Sequence, residues 1–256
     1  MSSRNIRLIE STDKPALEER KDLLAPFLQR LKHIAPRAWV EHDLPEPVRC
    51  VDFDAHRPIW SEHDSSECLF VLEEGFAYGF TILPDGRRHI SDIFGPGAIC
   101  NWTRLRSPEA RMDICFKRGS RAALLRIEDL LEAIHENSRL EGVISRHELA
   151  RTLRTSQRTR ALIAMPGPER LMNVMLDVQS ELFLGREPEQ EIEMPLTQTE
   201  VGDMIGQTNV HVNRILKTLA DSDRLRRDGQ VWTIVDPAAE MDRLDYRDFF
   251  ARGCRA

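Results

Sequence analysis

The stretch Leu196-Thr-Gln-Thr-Glu-Val-Gly-Asp-Met-Ile-Gly-Gln-Thr-Asn-Val-His-Val-Asn-Arg-Ile-Leu-Lys217 decides how the C-terminal part of this chain folds. Two apolar patterns of helical spacing, Val201 with Ile205 and Val212 with Ile215, meet at Gly206. Glycine there can take the left-handed conformation that a tight inter-helix turn needs, and Gly202 is small where the helices cross. Thr197-x-x-Glu200 is a capping box that fixes the first helix, and Thr208 is placed to cap the second. The spacing predicts a helix-turn-helix. Beyond it, Leu225-Arg-Arg-Asp-Gly-Gln-Val-Trp-Thr-Ile-Val235 reads as a hairpin around Asp228-Gly229, which makes the module a winged helix.

Burial of Val212, Ile215, Leu216 and Leu219 would leave Asn209, Val210, Asn213, Arg214 and Lys217 outward. Such a set can read base edges and neutralise phosphates, and Arg214 can pair bidentately with guanine. Upstream, Met165-Pro-Gly-Pro168 stops a helix and is the expected hinge. Before it, about Ile127 to Ala164 reads as helix with a break around Asn137-Ser138. Leu149, Leu153, Ser156 and Ile163 form one stripe, which fits either a dimer seam or packing within the domain.

From Cys50 to Ile127 the pattern becomes short apolar runs separated by Glu-Glu-Gly75, Pro84-Asp-Gly86, Gly95-Pro-Gly97 and Lys117-Arg-Gly119. Closely spaced strands with such turns indicate a small barrel or sandwich. Nearer the N-terminus, Leu17, Leu23, Leu24, Phe27, Leu28 and Leu31 predict one amphipathic helix, bent at Pro26, in an extension.

The 256 residues carry 36 Lys+Arg against 42 Asp+Glu, a net −6 that speaks against nucleic-acid binding when taken whole. Its distribution reads differently. Glu41 to Glu74 balances at −8, Ser145 to Arg160 at +4 and Thr208 to Arg227 at +3, so basic patches follow an acidic front. No apolar run approaches the roughly 18 to 20 residues of a membrane span, and Met1-Ser-Ser-Arg-Asn is no signal region; a cytoplasmic protein with no membrane partner is expected. The five cysteines show neither a disulfide framework nor zinc spacing.

Barrel, long helix, hinge and the 196–217 motif together resemble the Crp/Fnr family of bacterial transcription regulators over roughly residues 49 to 240. The resemblance implies an α+β chain: a double-stranded β-helix, jelly-roll-like sensor barrel, a long dimerisation helix and a winged helix-turn-helix. The expected division is 1–48 extension, 49–136 barrel, 137–165 dimerisation helix, 166–240 DNA-binding domain and 241–256 tail. It further implies a homodimer that reads a palindrome in double-stranded DNA and meets RNA polymerase. The family's base-reading positions fall on Asn209, Val210, Asn213 and Arg214, and Gln198, Thr208 and Lys217 complete the expected DNA-contacting set. Val210 departs from the family's usual glutamate, so its recognition can only be apolar, as toward a thymine methyl.

Cyclic-nucleotide-binding members use a Gly-Glu pair and an Arg-Ser/Thr-Ala stretch, where this chain has Asn101-Trp102 and Arg111-Met-Asp-Ile114. Asp113 would repel a cyclic phosphate. Thr155 and Ser156, at the family's adenine-contacting positions, then read as ordinary helix residues. No cyclic AMP site is expected. An iron-sulfur cluster is disfavoured because no cysteine precedes Cys50, and His56, His63 and Cys68 are too loosely spaced to indicate metal or haem. Cys100 and Cys115 read as small core residues. No Gly-x-Ser-x-Gly, P-loop or His-Glu-x-x-His motif points to an enzyme. The other reading is a module that senses a ligand or partner, with DNA contact secondary.

Overall fold

Seven antiparallel strands between Arg49 and Arg126 fold into two facing sheets in a computed structural model that describes residues 23–36, 44–60, 67–107, 112–184 and 191–251. One sheet has the order β1 (Arg49–Phe53), β7 (Ser120–Arg126), β3 (Cys68–Glu74). The other runs β2 (Arg57–Ile59), β6 (Asp113–Phe116), β4 (Ala77–Ile82), β5 (Arg88–Phe94). Alternation along each strand sends Phe53, Phe70, Leu72 and Leu124 of the first sheet inward against Ile59, Phe94, Ile114 and Phe116 of the second. Phe53 stacks on Phe116 at 4.1 Å, so aromatic rings occupy the space between the sheets. This is the expected jelly-roll-like barrel, and the glycines that end its runs, Gly75, Gly86, Gly97 and Gly119, all have positive φ.

The other face of each sheet carries a different layer. Leu69, Val71, Ala123 and Leu125 lie under α1 (Ala25–Ile34), α2 (Ile127–Glu136) and the start of α3 (Ser138–Ala164). The predicted break falls at Asn137, whose side chain accepts the Arg139 and Leu140 N–H groups at 3.0 and 3.2 Å and so caps α3. The second sheet turns Tyr78, Phe80, Ile90 and Ile93 toward the C-terminal unit, with which they share one core. That unit comprises α4 (Gly167–Leu182), β8 (Glu191–Glu193), α5 (Gln198–Ile205), α6 (Asn209–Asp221), β9 (Leu225–Asp228), β10 (Val231–Ile234) and α7 (Pro237–Leu244).

Four expectations change. Pro26 lies in the first turn of α1 instead of bending a longer helix, as suits a residue with no N–H to donate; residues 15–22 of the predicted helix lie outside the described residues. The extension is no appendage either, because Phe27 and Leu31 are buried in the layer beneath α3. The segment from 241 is equally integrated: Tyr246 and Phe250 are buried. Finally, the wing pairs Asp228 with Val231, so its turn centres on Gly229-Gln230, one residue later than predicted, with Gly229 at φ 58° in the first central position. A third wing strand, β8, pairs with β10.

Candidate nucleic-acid interface

Local chemistry sets the two helices of the motif. The Thr197 hydroxyl accepts the Glu200 N–H at 3.2 Å while the Glu200 carboxylate accepts the Thr197 N–H at 2.7 Å, closing the capping box at the start of α5. Gly206 ends α5 in the left-handed region at φ 68°, and any Cβ on Gly202 would collide with the Gln207 carbonyl. Thr208 then caps α6, accepting the His211 N–H at 3.4 Å. Val212, Ile215, Leu216 and Leu219 are buried as predicted, and Asn209, Val210, Asn213, Arg214 and Lys217 stand exposed on the opposite side. Val210 is 65% exposed, an apolar side chain held in water on an otherwise polar face.

Gln198 connects this face to the wing. With its amide turned to satisfy both ends, the nitrogen donates to Asn213 Oδ1 at 2.8 Å and Asn209 Oδ1 at 3.2 Å, while the oxygen accepts from Arg227 at 3.0 Å. Arg227 also donates to the Gly229 carbonyl and lies over the Trp232 ring at 5.6 Å. Arg227 was missing from the expected set. The available signal was strand alternation, which places it opposite Trp232 in the wing register.

The basic residues around this face divide into paired and unpaired. Arg224 is held between Glu240 at 2.6 Å and Glu169 at 3.1 Å, and exposed Arg226 pairs with Asp223 at 3.1 Å. Arg214 and Lys217 make no ion pair among the described residues. The motif is also anchored from behind. Lys117, in the turn after β6, reaches Glu200 at 2.7 Å, and Arg88 of β5 reaches Asp203 at 2.8 Å while donating to the Tyr78 hydroxyl. Burial alone would raise the Glu200 carboxyl, but Lys117 and the Thr197 N–H hold it below the usual carboxylate range.

Most of the charge in the +4 segment of α3 is internal, contrary to the basic patch expected there. Arg151, Arg154 and Arg158 are buried, not displayed. Arg158 meets Asp177 at 2.8 Å; Arg151 meets Asp92 and Glu181, each at 3.2 Å; Arg154 pairs with Glu181 and donates to Ser180. Arg30 of α1 adds a third arginine to Glu181 at 2.8 Å. Burial would raise the Glu181 carboxyl, yet Arg30, Arg151, Arg154 and the Gly95 N–H hold it well below the usual range. On the opposite side of α3, Leu149, Leu153 and Ile163 are exposed among polar residues, Ile163 by 80%, and Thr155 and Ser156 lie on that exposed side too.

In the barrel, Asn101 accepts the Phe70 N–H at 2.9 Å and donates to the Cys68 carbonyl at 3.0 Å, so its amide serves the turn. Cys100 and Cys115 are buried. Arg111 and His63 lie outside the described residues. Among the described residues no group of His, Cys, Asp and Glu side chains gathers as for a metal ion, and no helix is long and apolar enough to cross a membrane.

Residues 169–239 match the Crp-like helix-turn-helix domain family. Among solved structures, FixK2 from Bradyrhizobium japonicum shares the fold with a TM-score of 0.61 at 16% identity, over 81% of this chain and 98% of that one. A CRP-family transcriptional regulator from Thermus thermophilus does so with a TM-score of 0.55 at 18% identity, over 77% and 97%. A variant of CooA from Carboxydothermus hydrogenoformans does so with 0.58 at 15% identity, over 77% and 87%. No curated protein sequence matches significantly.

Proposed function

With a Crp-like helix-turn-helix domain carried on the fold of Crp/Fnr-type regulators, the protein acts, we propose, as a homodimeric, sequence-specific transcription regulator that reads a palindromic site in double-stranded DNA. The observation that carries this reading is the exposed face of α6, where Asn209, Asn213, Arg214 and Lys217 stand clear of the core while Gln198 and Arg227 border them. Arg214 reads guanine, Val210 meets a thymine methyl, and Lys217 with Arg227 neutralises phosphates. The exposed stripe Leu149, Leu153 and Ile163 supports pairing of two copies along α3, which would set two α6 helices about one DNA turn apart. Such a protein works in the cytoplasm, with RNA polymerase as a partner.

Selection from randomised duplex followed by mobility-shift titration tests this. The expected outcome is a palindrome bound with steep salt dependence; no binding at low salt rejects it. The barrel does not take cyclic AMP in this reading, because aromatic rings fill the space between the sheets and Asn101 is engaged by backbone. Saturable cyclic AMP binding at micromolar concentration in calorimetry would overturn that part.

A further inference from the structure

Phe250 is fully buried, yet its ring is surrounded by polar side chains. The Arg154 guanidinium lies 4.2 Å from its centroid, Arg30 at 5.3 Å, Arg151 at 5.7 Å and the His147 ring at 5.9 Å. Several of these groups lack any hydrogen-bond partner there: Arg30 Nη1, Arg151 Nε and both nitrogens of His147, all buried. An unmade hydrogen bond in a dry site is costly because the group has given up water for nothing, and a phenyl ring cannot make one within its plane. The same tail brings a carboxylate: Asp248 accepts from Ser180 at 2.8 Å, and Ser180 in turn accepts from Arg154 at 2.8 Å. Arg30, Arg151, Arg154 and Arg158 face the carboxylates of Asp92, Asp177 and Glu181, with Asp248 adding its charge near Arg154, so departure of the tail leaves an unbalanced positive charge and the Ser180 hydroxyl without its acceptor.

The geometry points to a binding site for a small aromatic carboxylate at the Arg30–His147–Arg151–Arg154 cluster, occupied in this structure by the protein's own Asp248 and Phe250. A free ligand of that class reproduces both tail features, a ring against the guanidinium faces and a carboxylate in place of Asp248. Its oxygens can also accept from Arg30 Nη1 and Arg151 Nε, which the tail leaves unserved. The site lies where α1, α3 and α4 meet, so exchange of tail for ligand would act on the contact between the barrel and the DNA-binding unit. It rests on geometry in the barrel-proximal half and is independent of which DNA sequence is read.

Calorimetry with phenylacetate on the full chain tests it without DNA. Removing the competing ring in Phe250→Ala should tighten phenylacetate binding at least about tenfold over wild type, since a ligand's apparent affinity falls with the fraction of open sites. Adding Arg30→Met should abolish the gain, and benzyl alcohol, which lacks the carboxylate, should bind at least about tenfold more weakly. If Phe250→Ala does not fold, Phe250→Leu fills the space without a π face and should show the same direction. In wild type, saturating phenylacetate should raise hydrogen exchange at residues 246–250. Absence of binding, equal affinity in wild type and the Phe250 variants, or binding indifferent to Arg30→Met overturns the site. DNA binding is measured separately, so loss of one reading leaves the other standing.

Discussion

Helices α3 and α6 are both arginine-bearing and both sit in positively charged sequence segments, yet they use that charge in opposite ways. On α3, Arg151, Arg154 and Arg158 recur on one face, point inward and meet carboxylates from β5 and α4, while leucine and isoleucine face out. On α6, valine, isoleucine and leucine point inward, and Arg214 and Lys217 face out. The first arrangement fixes how the DNA-binding unit sits on the barrel; the second leaves charge available to a polyanion. A local excess of arginine therefore says nothing about DNA until its intramolecular partners are known.

The comparison can be broken most sharply at Glu181. Glu181→Gln leaves Arg30, Arg151 and Arg154 buried around a neutral amide and should cost about 3–5 kcal/mol in chemical denaturation. Lys217→Ala should leave stability within about 0.5 kcal/mol. Similar costs for the two substitutions would mean the helices do not differ as described. Next in size, Arg214→Ala should lose about 1–3 kcal/mol of discrimination between the selected palindrome and scrambled duplex, measured by competition binding, with unfolding unchanged.

A smaller effect distinguishes the regions by pH. Burial, then Arg151 and Arg30, keep the His147 imidazole well below its ordinary 6.5 and thus neutral in the folded protein. The unfolded chain takes up that proton below about pH 6.5 while the folded chain does not, so stability falls as the pH drops. The slope from this group is at most about 1.4 kcal/mol per pH unit. His147→Leu should flatten the stability profile between pH 6.5 and 5, as followed by chemical denaturation across that range.

How much was legible follows the same division. The helix-turn-helix could be read because its signals are local: the Thr197–Glu200 box, the Gly206 turn and the inward Val212, Ile215, Leu216 and Leu219 lie within a few turns of one another. The barrel turns were legible through glycines that need positive φ. The arginine network was not, since Glu181 lies 30 residues from Arg151 and 151 from Arg30, and nothing nearby in the chain marks the pairing. Strand β8 was missed because three residues with a single inward Ile192 give no alternation to recognise. Phe250 lies near the end of a polar segment, where sequence gives no reason to expect burial.

The most direct measurement is the salt dependence of affinity for the selected palindrome in wild type and Lys217→Ala. Each phosphate contact contributes about 0.9 to the slope of log affinity against log salt, and a dimer presents Lys217 twice. The slope should therefore become shallower by about 2, with affinity for all duplexes reduced alike. An unchanged slope would contradict the assignment of the outward face of α6 to DNA.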